Sequence, residues 1–533
     1  MHLTKIKFGT DGWRGVIAED FTFENVRRVA QATADYWNSL VGAQKAAIVG
    51  YDNRFLSETY AKLVCEVLAA NGIKALYPPL AVPTPAVTFA VRDRALCGAV
   101  MITASHNPPQ FNGYKLKAHY AGPADPEMCA QVEERLDQSP VRAMDFDEGV
   151  KNGSIEIYDP RAAHVAAVKK IVDLRKIRGA RLRIAVDSMY GCGGNQLETI
   201  LAKSACRVQT IRANRDPLFG GINPEPIGKN LGALCEAVKK TRAQIGLATD
   251  GDADRLGIVN DKGQYESIQL VFAMLLLHLI RNRGQKTGLV VKSANSTVLI
   301  DRICRAHGLK LAEVPVGFKY ICQQMRETDV LIGGEESGGI GFQGHIPERD
   351  GMLANLMLLE MLAMTGKRLT QIARELQKEF GASSYDRIDM HFLLEKREKF
   401  IESLRSQPPK ELLGVPLAQM KDFDGVKYIA RELQKEFGAS SYDRIDMRFP
   451  LEKREQFIES LRTQPPKKLL GVPLAQMKDF DGVKYIAQDD SWLMFRTSGT
   501  EPIIRIYSEA STAARMKKLL EHGKALALKM AKT

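Results

Sequence analysis

Cysteine pairs, aromatic residues, basic runs and long apolar stretches are all scarce in this chain. The eight cysteines include no Cys-x-x-Cys pair, so neither zinc nor a disulfide framework is indicated, and reduced thiols are expected. Aromatic residues make up only 7% and no long basic run occurs, which disfavours nucleic-acid binding. The longest apolar run, Ile268–Ile280, contains Gln269 and His278 and reads as a core helix, not a membrane span. With no apolar signal region after Met1, we expect a cytoplasmic protein with no membrane partner.

The rest of the composition is that of an ordinary globular protein. The 533 residues are 45% hydrophobic and 26% charged, which allows several separate cores. Strand-like apolar runs such as Ala46–Gly50 alternate with helical patterns such as Ser57–Asn71. This alternation predicts an α/β fold with a mostly parallel sheet covered by helices. The net charge of +12 fits either a basic cleft for an anionic small molecule or a solvated basic surface.

One polar loop, Thr103–Lys115, follows the apolar strand predicted for Cys97–Ile102. The loop contains Ser105 and His106, and its Asn-Pro-Pro and Asn-Gly steps break regular structure. In open α/β sheets, ligands bind at the carboxyl ends of strands, where this serine lies. Ser105 is therefore a candidate nucleophile or phosphoryl carrier, provided that a base and a cation lie close. Taken alone, the loop is better interpreted as a polar turn.

A second loop carries three aspartates at alternating positions: Asp250, Asp252 and Asp254. It follows the predicted strand Gln244–Ala248. Three carboxylates that converge can hold Mg²⁺, which needs only a few when a phosphate oxygen completes the shell. The alternative is an acidic turn. The neighbouring Arg255 is either a counter-charge or a phosphate ligand.

Three further loops have matching chemistry. Arg14, in the glycine-rich stretch Gly9–Gly15 that follows a predicted strand at 5–8, could pair with a phosphate. The loop Gly333–Gly339 carries adjacent carboxylates that could accept hydrogen bonds from sugar hydroxyls. Arg496–Pro502 combines an arginine, two types of hydroxyl and a glycine, which suits a phosphate. For each loop a solvated turn is the alternative.

A tandem repeat covers residues 372–428 and 429–485, two copies of 57 residues that differ at five positions. Each copy is predicted to form helix, strand, helix and strand. Copy two reaches the next strand, Trp492–Phe495, through only a few residues, whereas copy one would leave copy two as a long loop. We therefore expect Tyr442–Tyr485 to be docked in the last domain and Tyr385–Tyr428 to be appended.

Taken together, the loops resemble those of the α-D-phosphohexomutase family of phosphoglucomutases and phosphomannomutases, most closely the bacterial phosphoglucomutases. The resemblance rests on Thr103–Pro108 with Lys115, Asp250–Arg255, Gly334–Gly338 and Arg496–Pro502. It implies three similar α/β/α mixed-sheet domains and a smaller α+β C-terminal domain around a central cleft. The domains would cover residues 1–155, 156–262, 263–384 and 385–533, with part of the duplication in the last.

The resemblance implies an intramolecular phosphotransferase that interconverts hexose 1-phosphate and hexose 6-phosphate. Ser105 would carry the phosphoryl group, and Mg²⁺ would be held by a phosphoserine oxygen and the three aspartates. Lys115 would be the general acid/base, with a pKa lowered by burial, and hexose 1,6-bisphosphate would be the activator. Arg14, His106 and Arg349 would assist catalysis. Substrate would be bound by Arg255, Lys292, Glu335, Ser337, Arg496, Ser498, Gly499, Thr500 and Arg505. The expected partner is a small phosphosugar, and the chain would be a monomer or a weak dimer.

One position departs from the pattern of some relatives. Gly339 stands where dual-specificity and glucosamine enzymes have a histidine two residues after the loop serine. This leaves Lys115 and Arg349 as acid/base candidates. The Glu-Glu-Ser of the loop resembles phosphoglucomutases, so glucose phosphate is the expected substrate. A phosphomannomutase, a dual-specificity mutase, and a phosphosugar-binding protein without turnover are the alternatives.

Overall fold

The structure is a computed structural model that describes residues 6–9, 11–40 and 45–381. Beyond these it describes the strands given below, together with residues 488, 491, 516–518, 520–521 and 524. The chain forms two compact units. The first contains Met1–Glu266, Ile321–Gly333 and Ser337–Thr370, and the second contains Ser267–Tyr320, Gly334–Glu336 and Gln371–Thr533. Among the described residues, no helix combines the length and apolar composition needed to cross a membrane.

The first part of the chain builds a mixed seven-stranded sheet with helices. The strands lie in the order β1-β5-β4-β2-β3-β7, with β6 paired to β5. Strands β2, β3, β4 and β7 are parallel, whereas β1 and β5 are antiparallel to their neighbours. The elements are β1 Trp13–Val16, α1 Phe23–Ser39, β2 Ala46–Tyr51, α2 Ser57–Ala70, β3 Lys74–Tyr77, α3 Thr84–Asp93, β4 Gly98–Ile102, β5 Phe111–Ala118, β6 Gly122–Pro123, α4 Pro126–Glu134, α5 Phe146–Asn152 and β7 Ile155–Ile157.

The second part repeats the same kind of architecture with five strands, ordered β12-β11-β10-β8-β9. Strand β10 is parallel to β8 and antiparallel to β11, so the turn after β10 lies at a parallel strand's carboxyl end. The elements are α6 Arg161–Ile171, α7 Leu174–Gly179, β8 Arg183–Asp187, α8 Gln196–Leu201, β9 Arg207–Ile211, α9 Gly232–Thr241, β10 Ile245–Thr249, β11 Leu256–Val259 and β12 Tyr265–Glu266.

The third part alternates helices with short strands. The helix α10 is buried along its whole length, as expected of a core helix. The elements are α10 Ile268–Leu277, β13 Leu289–Ser293, α11 Leu299–His307, β14 Leu311–Val314, α12 Phe318–Glu327, β15 Val330–Gly334, β16 Ile340–Phe342, α13 Gly351–Thr365 and α14 Leu369–Phe380.

The C-terminal part contains the strands of both repeat copies. Each copy ends in a hairpin instead of the single strand expected, because the sequence where the two strands meet contains Asp-Gly, a pair that favours tight hairpins. The strands are β17 Asp386–His391, β18 Glu411–Leu412, β19 Val415–Phe423, β20 Val426–Ala430, β21 Ser441–Arg448, β22 Lys468–Leu469, β23 Val472–Asp479, β24 Gly482–Ala487, β25 Trp492–Thr497 and β26 Ile503–Ala510.

Two segments near the N-terminus differ from the sequence expectation. The expected strand at 5–8 is absent among the described residues 6–8, and the first strand, β1, lies inside the stretch predicted as a loop. Lys115 is likewise part of β5, not of a loop. The reason is close backbone pairing: a Cβ on Gly113 would lie only 2.6 Å from the Thr103 carbonyl oxygen and 2.8 Å from that of Trp13. Glycine at this position therefore admits a strand where the sequence suggested a turn.

Candidate active site

Ser105 lies in the turn after β4, and its side chain is completely buried. Its backbone is left-handed, with φ of 51°, an uncommon conformation for a residue other than glycine. The hydroxyl donates a hydrogen bond to Asp250 Oδ2 at 2.8 Å, and His106 Nδ1 lies 3.4 Å from the same oxygen of Ser105. The structure thus brings together the predicted serine, histidine and first aspartate.

The three predicted aspartates follow β10, and all are buried. The turn fits tightly against the serine loop: a Cβ on Gly251 would lie 2.5 Å from the Ser105 carbonyl oxygen, so only glycine fits without a shift. Burial and the charges of Asp252 and Asp254 raise the pKa of Asp250 well above its usual value. Three buried carboxylates crowded together favour a cation among them.

The donor set fits Mg²⁺. Ligand oxygens of the three aspartates lie within 4.8 Å of one another. Asp252 Oδ1 and Asp254 Oδ1 are buried and accept no hydrogen bond from any residue that the structure describes. Buried carboxylate oxygens normally have a partner, and a hard cation is the partner that suits them.

Lys115 and Arg349 are bound to the same carboxylates. Lys115 Nζ lies 2.8 Å from Asp252 Oδ2, 3.1 Å from Asp254 Oδ2 and 2.9 Å from Asp11 Oδ2. Arg349 lies 2.6 Å from the same Asp11 oxygen and 2.8 Å from Asp254 Oδ2. Burial alone would lower the pKa of Lys115, but these carboxylates outweigh burial and raise it. The lowered pKa expected from the sequence is therefore not what this arrangement produces.

Arg14 and Arg255 lie at the edge of this cluster. An Arg14 amino group donates to Asn107 Oδ1 at 2.5 Å, whereas its Nε donates to no residue that the structure describes. Burial lowers the pKa of Arg14. The Arg255 backbone N–H donates to Asp250 Oδ1 at 3.1 Å, and its Nε lies 3.8 Å from Asp254 Oδ1. Arg14 and Arg255 therefore each keep an Nε–H that donates no hydrogen bond to the described residues, and their roles as phosphate ligands stay predictions.

Arg349 immediately precedes Asp350, the residue that caps the N-terminus of helix α13. Asp350 caps the helix by accepting from the N–H groups of Met352 and Leu353, both at 3.0 Å. Its other oxygen contacts His164 Nε2 at 2.6 Å and His345 Nε2 at 3.0 Å. These contacts fix the position of Asp350, and therefore also the position of the backbone from which the Arg349 side chain extends.

The other predicted binding residues have local partners or lie outside the described residues. Glu335 is buried and accepts from the Gly317 N–H at 2.9 Å. Lys292 is 1% exposed, forms an ion pair with Asp301 and donates to the Thr297 carbonyl at 3.2 Å. Ser337 and Arg505 are half-buried, Arg496 lies on β25, and Ser498, Gly499 and Thr500 lie outside the described residues.

Three charged residues in the site were not identified from the sequence: the buried Lys117 and Glu348, and the half-buried Asp11. Lys117 Nζ lies 2.6 Å from Glu348 Oε2 and 3.5 Å from Asp11 Oδ1. A signal for Lys117 was present, because residues two apart on a strand share a face and Lys115 was already a candidate. Asp11 and Glu348 had no such signal, since their partners come from distant parts of the chain.

Comparisons with known proteins identify the family of this chain. The sequence matches the phosphoglucomutase/phosphomannomutase α/β/α domains I, II and III at residues 5–142, 162–263 and 269–380, and the C-terminal domain at 459–522. A solved structure from Thermus thermophilus, provisionally named a phosphomannomutase, is 32% identical with a TM-score of 0.76, over 98% of this chain and 99% of that chain. The chain therefore belongs to the phosphoglucomutase/phosphomannomutase family of phosphohexomutases, which are enzymes of intramolecular phosphoryl transfer.

Two curated relatives of this chain are named for different sugar phosphates. A phosphoglucomutase/phosphomannomutase of Thermococcus kodakarensis is 28% identical over 97% of this chain and 97% of its own. A phosphoglucosamine/phosphogalactosamine mutase of Sulfurisphaera tokodaii is 25% identical over 94% of this chain and 95% of its own. The fold and enzyme class predicted from the sequence are confirmed, whereas the hexose is not determined by these names.

Proposed function

We propose that this chain interconverts hexose 1-phosphate and hexose 6-phosphate, with glucose preferred, through a phosphoryl group on Ser105. The observation that carries the proposal is the buried contact between Ser105 Oγ and Asp250 Oδ2 at 2.8 Å, beside two aspartates that each have an oxygen without a hydrogen bond in the described part of the chain. A serine, a cation site and basic side chains at one point are what phosphoryl transfer requires.

The residues of the first unit divide the work of transfer. A substrate hydroxyl forms a bond to phosphorus while the bond to Ser105 Oγ breaks, and the hydroxyl proton passes to the serine oxygen. Mg²⁺, when bound by Asp250, Asp252 and Asp254, supplies positive charge to the transferring group. Arg14 offers a further donor to that group. The carboxylates that contact Lys115 keep it charged, and it relays the proton: Lys115 gives one proton to Ser105 Oγ and takes up the proton of the substrate hydroxyl.

The remaining predicted residues bind the sugar and its second phosphate. Glu335 and Ser337 accept hydrogen bonds from sugar hydroxyls, and the loop Arg496–Pro502 with Arg505 binds the phosphate that does not react. After the first transfer the bisphosphate reorients, and its other phosphate returns to Ser105. Hexose 1,6-bisphosphate therefore serves as activator, because it places the first phosphoryl group on the serine.

The test is a coupled assay with Mg²⁺ and a trace of glucose 1,6-bisphosphate. We expect kcat/KM to be highest for glucose 1-phosphate, lower for mannose 1-phosphate and lowest for glucosamine 1-phosphate. The physical reason is that Gly339 supplies no histidine and the adjacent Glu335 and Glu336 supply acceptors for hydroxyls. A highest value for either other sugar would overturn the substrate assignment, and no turnover of any would overturn the function.

A further inference from the structure

Arg54 is a buried cation that the phosphoryl-transfer scheme does not use. It follows β2, and its side chain is completely buried. All five of its guanidinium N–H groups have an acceptor, the number that an arginine offers. Nε donates to Asp52 Oδ2 at 3.1 Å, and the other four groups donate to backbone carbonyls of the serine loop, those of Ser105 at 2.6 Å, Asn107 at 2.7 Å, Pro108 at 2.8 Å and Phe111 at 3.0 Å.

Asp52 holds the same loop by a second route. Its Oδ2 accepts from Thr103 Oγ1 at 2.6 Å, and that hydroxyl oxygen accepts from the Ser105 backbone N–H at 2.8 Å. Asp52 Oδ1 accepts from the Arg54 N–H and from Ser57 Oγ, at 3.0 and 2.7 Å. The Asp52–Arg54 pair therefore fixes both the N–H and the carbonyl of Ser105.

These bonds act on Ser105, the residue of the loop whose backbone is left-handed. A left-handed serine persists only if its surroundings hold it there. With its N–H and its carbonyl both held from one side, Ser105 directs its hydroxyl toward Asp250 on the other. The Arg54 guanidinium also lies over the ring of Phe219, 5.0 Å from the ring centroid.

We propose that Arg54 is the positioning residue that holds Ser105 in the geometry for accepting and releasing the phosphoryl group. The inference rests on the proposed function of Ser105. Arg54 acts through the loop's carbonyls, so lysine cannot replace it: a single ammonium group has three donors and no planar fork. The proposal predicts a defect in the chemical step, not in substrate binding.

The experiment compares Arg54→Lys with Arg212→Lys in the full-length enzyme. Arg212 is a matched control because it also forms an ion pair with an aspartate at a strand end, Asp187, but contacts no residue of the serine loop that the structure describes. For each variant we would measure kcat and KM for glucose 1-phosphate, the melting temperature, and phosphate on Ser105 by intact mass after incubation with glucose 1,6-bisphosphate.

For Arg54→Lys we expect kcat to fall about 10²-fold, since a displacement of about 1 Å has that cost, with KM unchanged within about threefold. Ser105 phosphorylation should fall with kcat. Arg212→Lys should lower the melting temperature while kcat stays within about threefold of wild type. If kcat of Arg54→Lys stays within the same range of wild type, and the wild type carries phosphate on Ser105, the role of Arg54 is overturned but the proposed function is not.

Two further outcomes complete the test. Wild-type turnover without phosphate on Ser105 would overturn both this inference and the proposed function. If Arg54→Lys does not fold, Thr103→Val decides, because it removes the link between Asp52 and the Ser105 N–H. Loss of kcat at constant KM in that variant supports the positioning by the Asp52–Arg54 pair, and an unchanged kcat overturns it.

Discussion

At the scale of single residues, charge is the organising quantity of this site. Asp11, Asp252 and Asp254 share Lys115, and Arg349 contacts two of the three. Such a network holds each side chain by several partners, but it leaves one oxygen each of Asp252 and Asp254 without a hydrogen bond in the described part of the chain. Cationic side chains hold several of these carboxylate oxygens, and the oxygens left without a hydrogen bond suit a divalent ion.

The first prediction concerns Asp252→Asn. The change removes one metal ligand charge and the partner of Lys115, so we expect kcat to fall on the order of 10²-fold or more. Chelation should stop turnover of the wild type, and Mg²⁺ should restore it. Mg²⁺ should also raise the melting temperature of the wild type without substrate, by binding only the folded state, but not that of the variant.

The control for this prediction is Asp147→Asn, which removes an exposed carboxylate from α5 and should leave both measurements unchanged. Full activity of chelator-treated wild type without added metal would show that the aspartates are structural.

The sequence predicted the residues whose chemistry is local. Ser105 and the aspartate trio were found because each follows an apolar strand and carries an unusual composition within a few residues. The direction of the Lys115 pKa was not predictable, because Asp11 reaches it from a segment about a hundred residues away. Arg54 was missed for the same reason. Its guanidinium donates to backbone carbonyls of the serine loop, and nothing in the sequence around Arg54 indicates those contacts.

At the scale of elements, the site depends on two closely fitted turns. The serine turn follows β4 and the aspartate turn follows β10, and a Cβ on Gly251 would lie 2.5 Å from the Ser105 carbonyl oxygen. The strand order explains the remaining placement, because pairing of β5 with both β4 and β1 puts Met101 opposite Lys115 and Trp13 opposite Tyr114. Predicting the strands β2, β4 and β10 from apolar runs was possible. Predicting β1 was not, since its glycines are typical of a turn.

The second prediction concerns Gly251→Ala. The added methyl group would meet the Ser105 carbonyl oxygen at 2.5 Å, so one of the two turns must move. We expect a loss of about 1–3 kcal/mol in the free energy of unfolding and about 10²-fold in kcat. Urea denaturation and steady-state kinetics measure the two quantities.

Gly179→Ala is the matched control, because a Cβ there meets nothing within 4 Å. It should leave both quantities close to wild type. Wild-type kinetics in Gly251→Ala would mean that the contact between the two turns is not needed for catalysis.

At the scale of the whole molecule, the duplication raises the question of which copy is docked in the last domain. Strands β17 and β21, from copies one and two, are both in register with β26: Asp386 and Asp443 each lie opposite Ser508. Strand β21 pairs from Ser441 to Arg448, whereas β17 pairs from Asp386 to His391. Because β25 also pairs with β26, the two copies compete for the remaining edge of one strand.

The third prediction is that copy two holds this edge. It pairs with β25 from Lys484 to Ile486, whereas copy one does so only at Tyr428. Leaving copy two as a loop of about 57 residues would add a closure cost of about 1–3 kcal/mol. Deleting residues 372–428 should therefore preserve activity and raise the melting temperature. Which copy is docked stays a prediction until this is measured.

Deletion of residues 429–485 leaves the same connectivity and a chain that differs at only five positions, so we expect the same result from it, and digestion of the full chain decides between the copies. Limited trypsin digestion of the full chain can distinguish the copies by mass, since Glu411 and Lys468 occupy equivalent positions. We expect copy one to be cut first. Unfolding after deletion of residues 372–428, or earlier cleavage of copy two, would contradict the assignment.

The central claim, that Ser105 carries the phosphoryl group during turnover, is tested most directly by intact-mass analysis with single turnover. Wild type, Ser105→Ala and the control Ser188→Ala, another buried serine after a strand end, are incubated with Mg²⁺ and glucose 1,6-bisphosphate and then mixed with excess glucose 1-phosphate. We expect wild type and Ser188→Ala each to carry one phosphate and to lose it to the sugar on mixing. Ser105→Ala should carry none, bind phosphosugar measurably and lose nearly all turnover. Wild-type turnover by Ser105→Ala, or turnover by a wild type that never carries phosphate, would contradict the account.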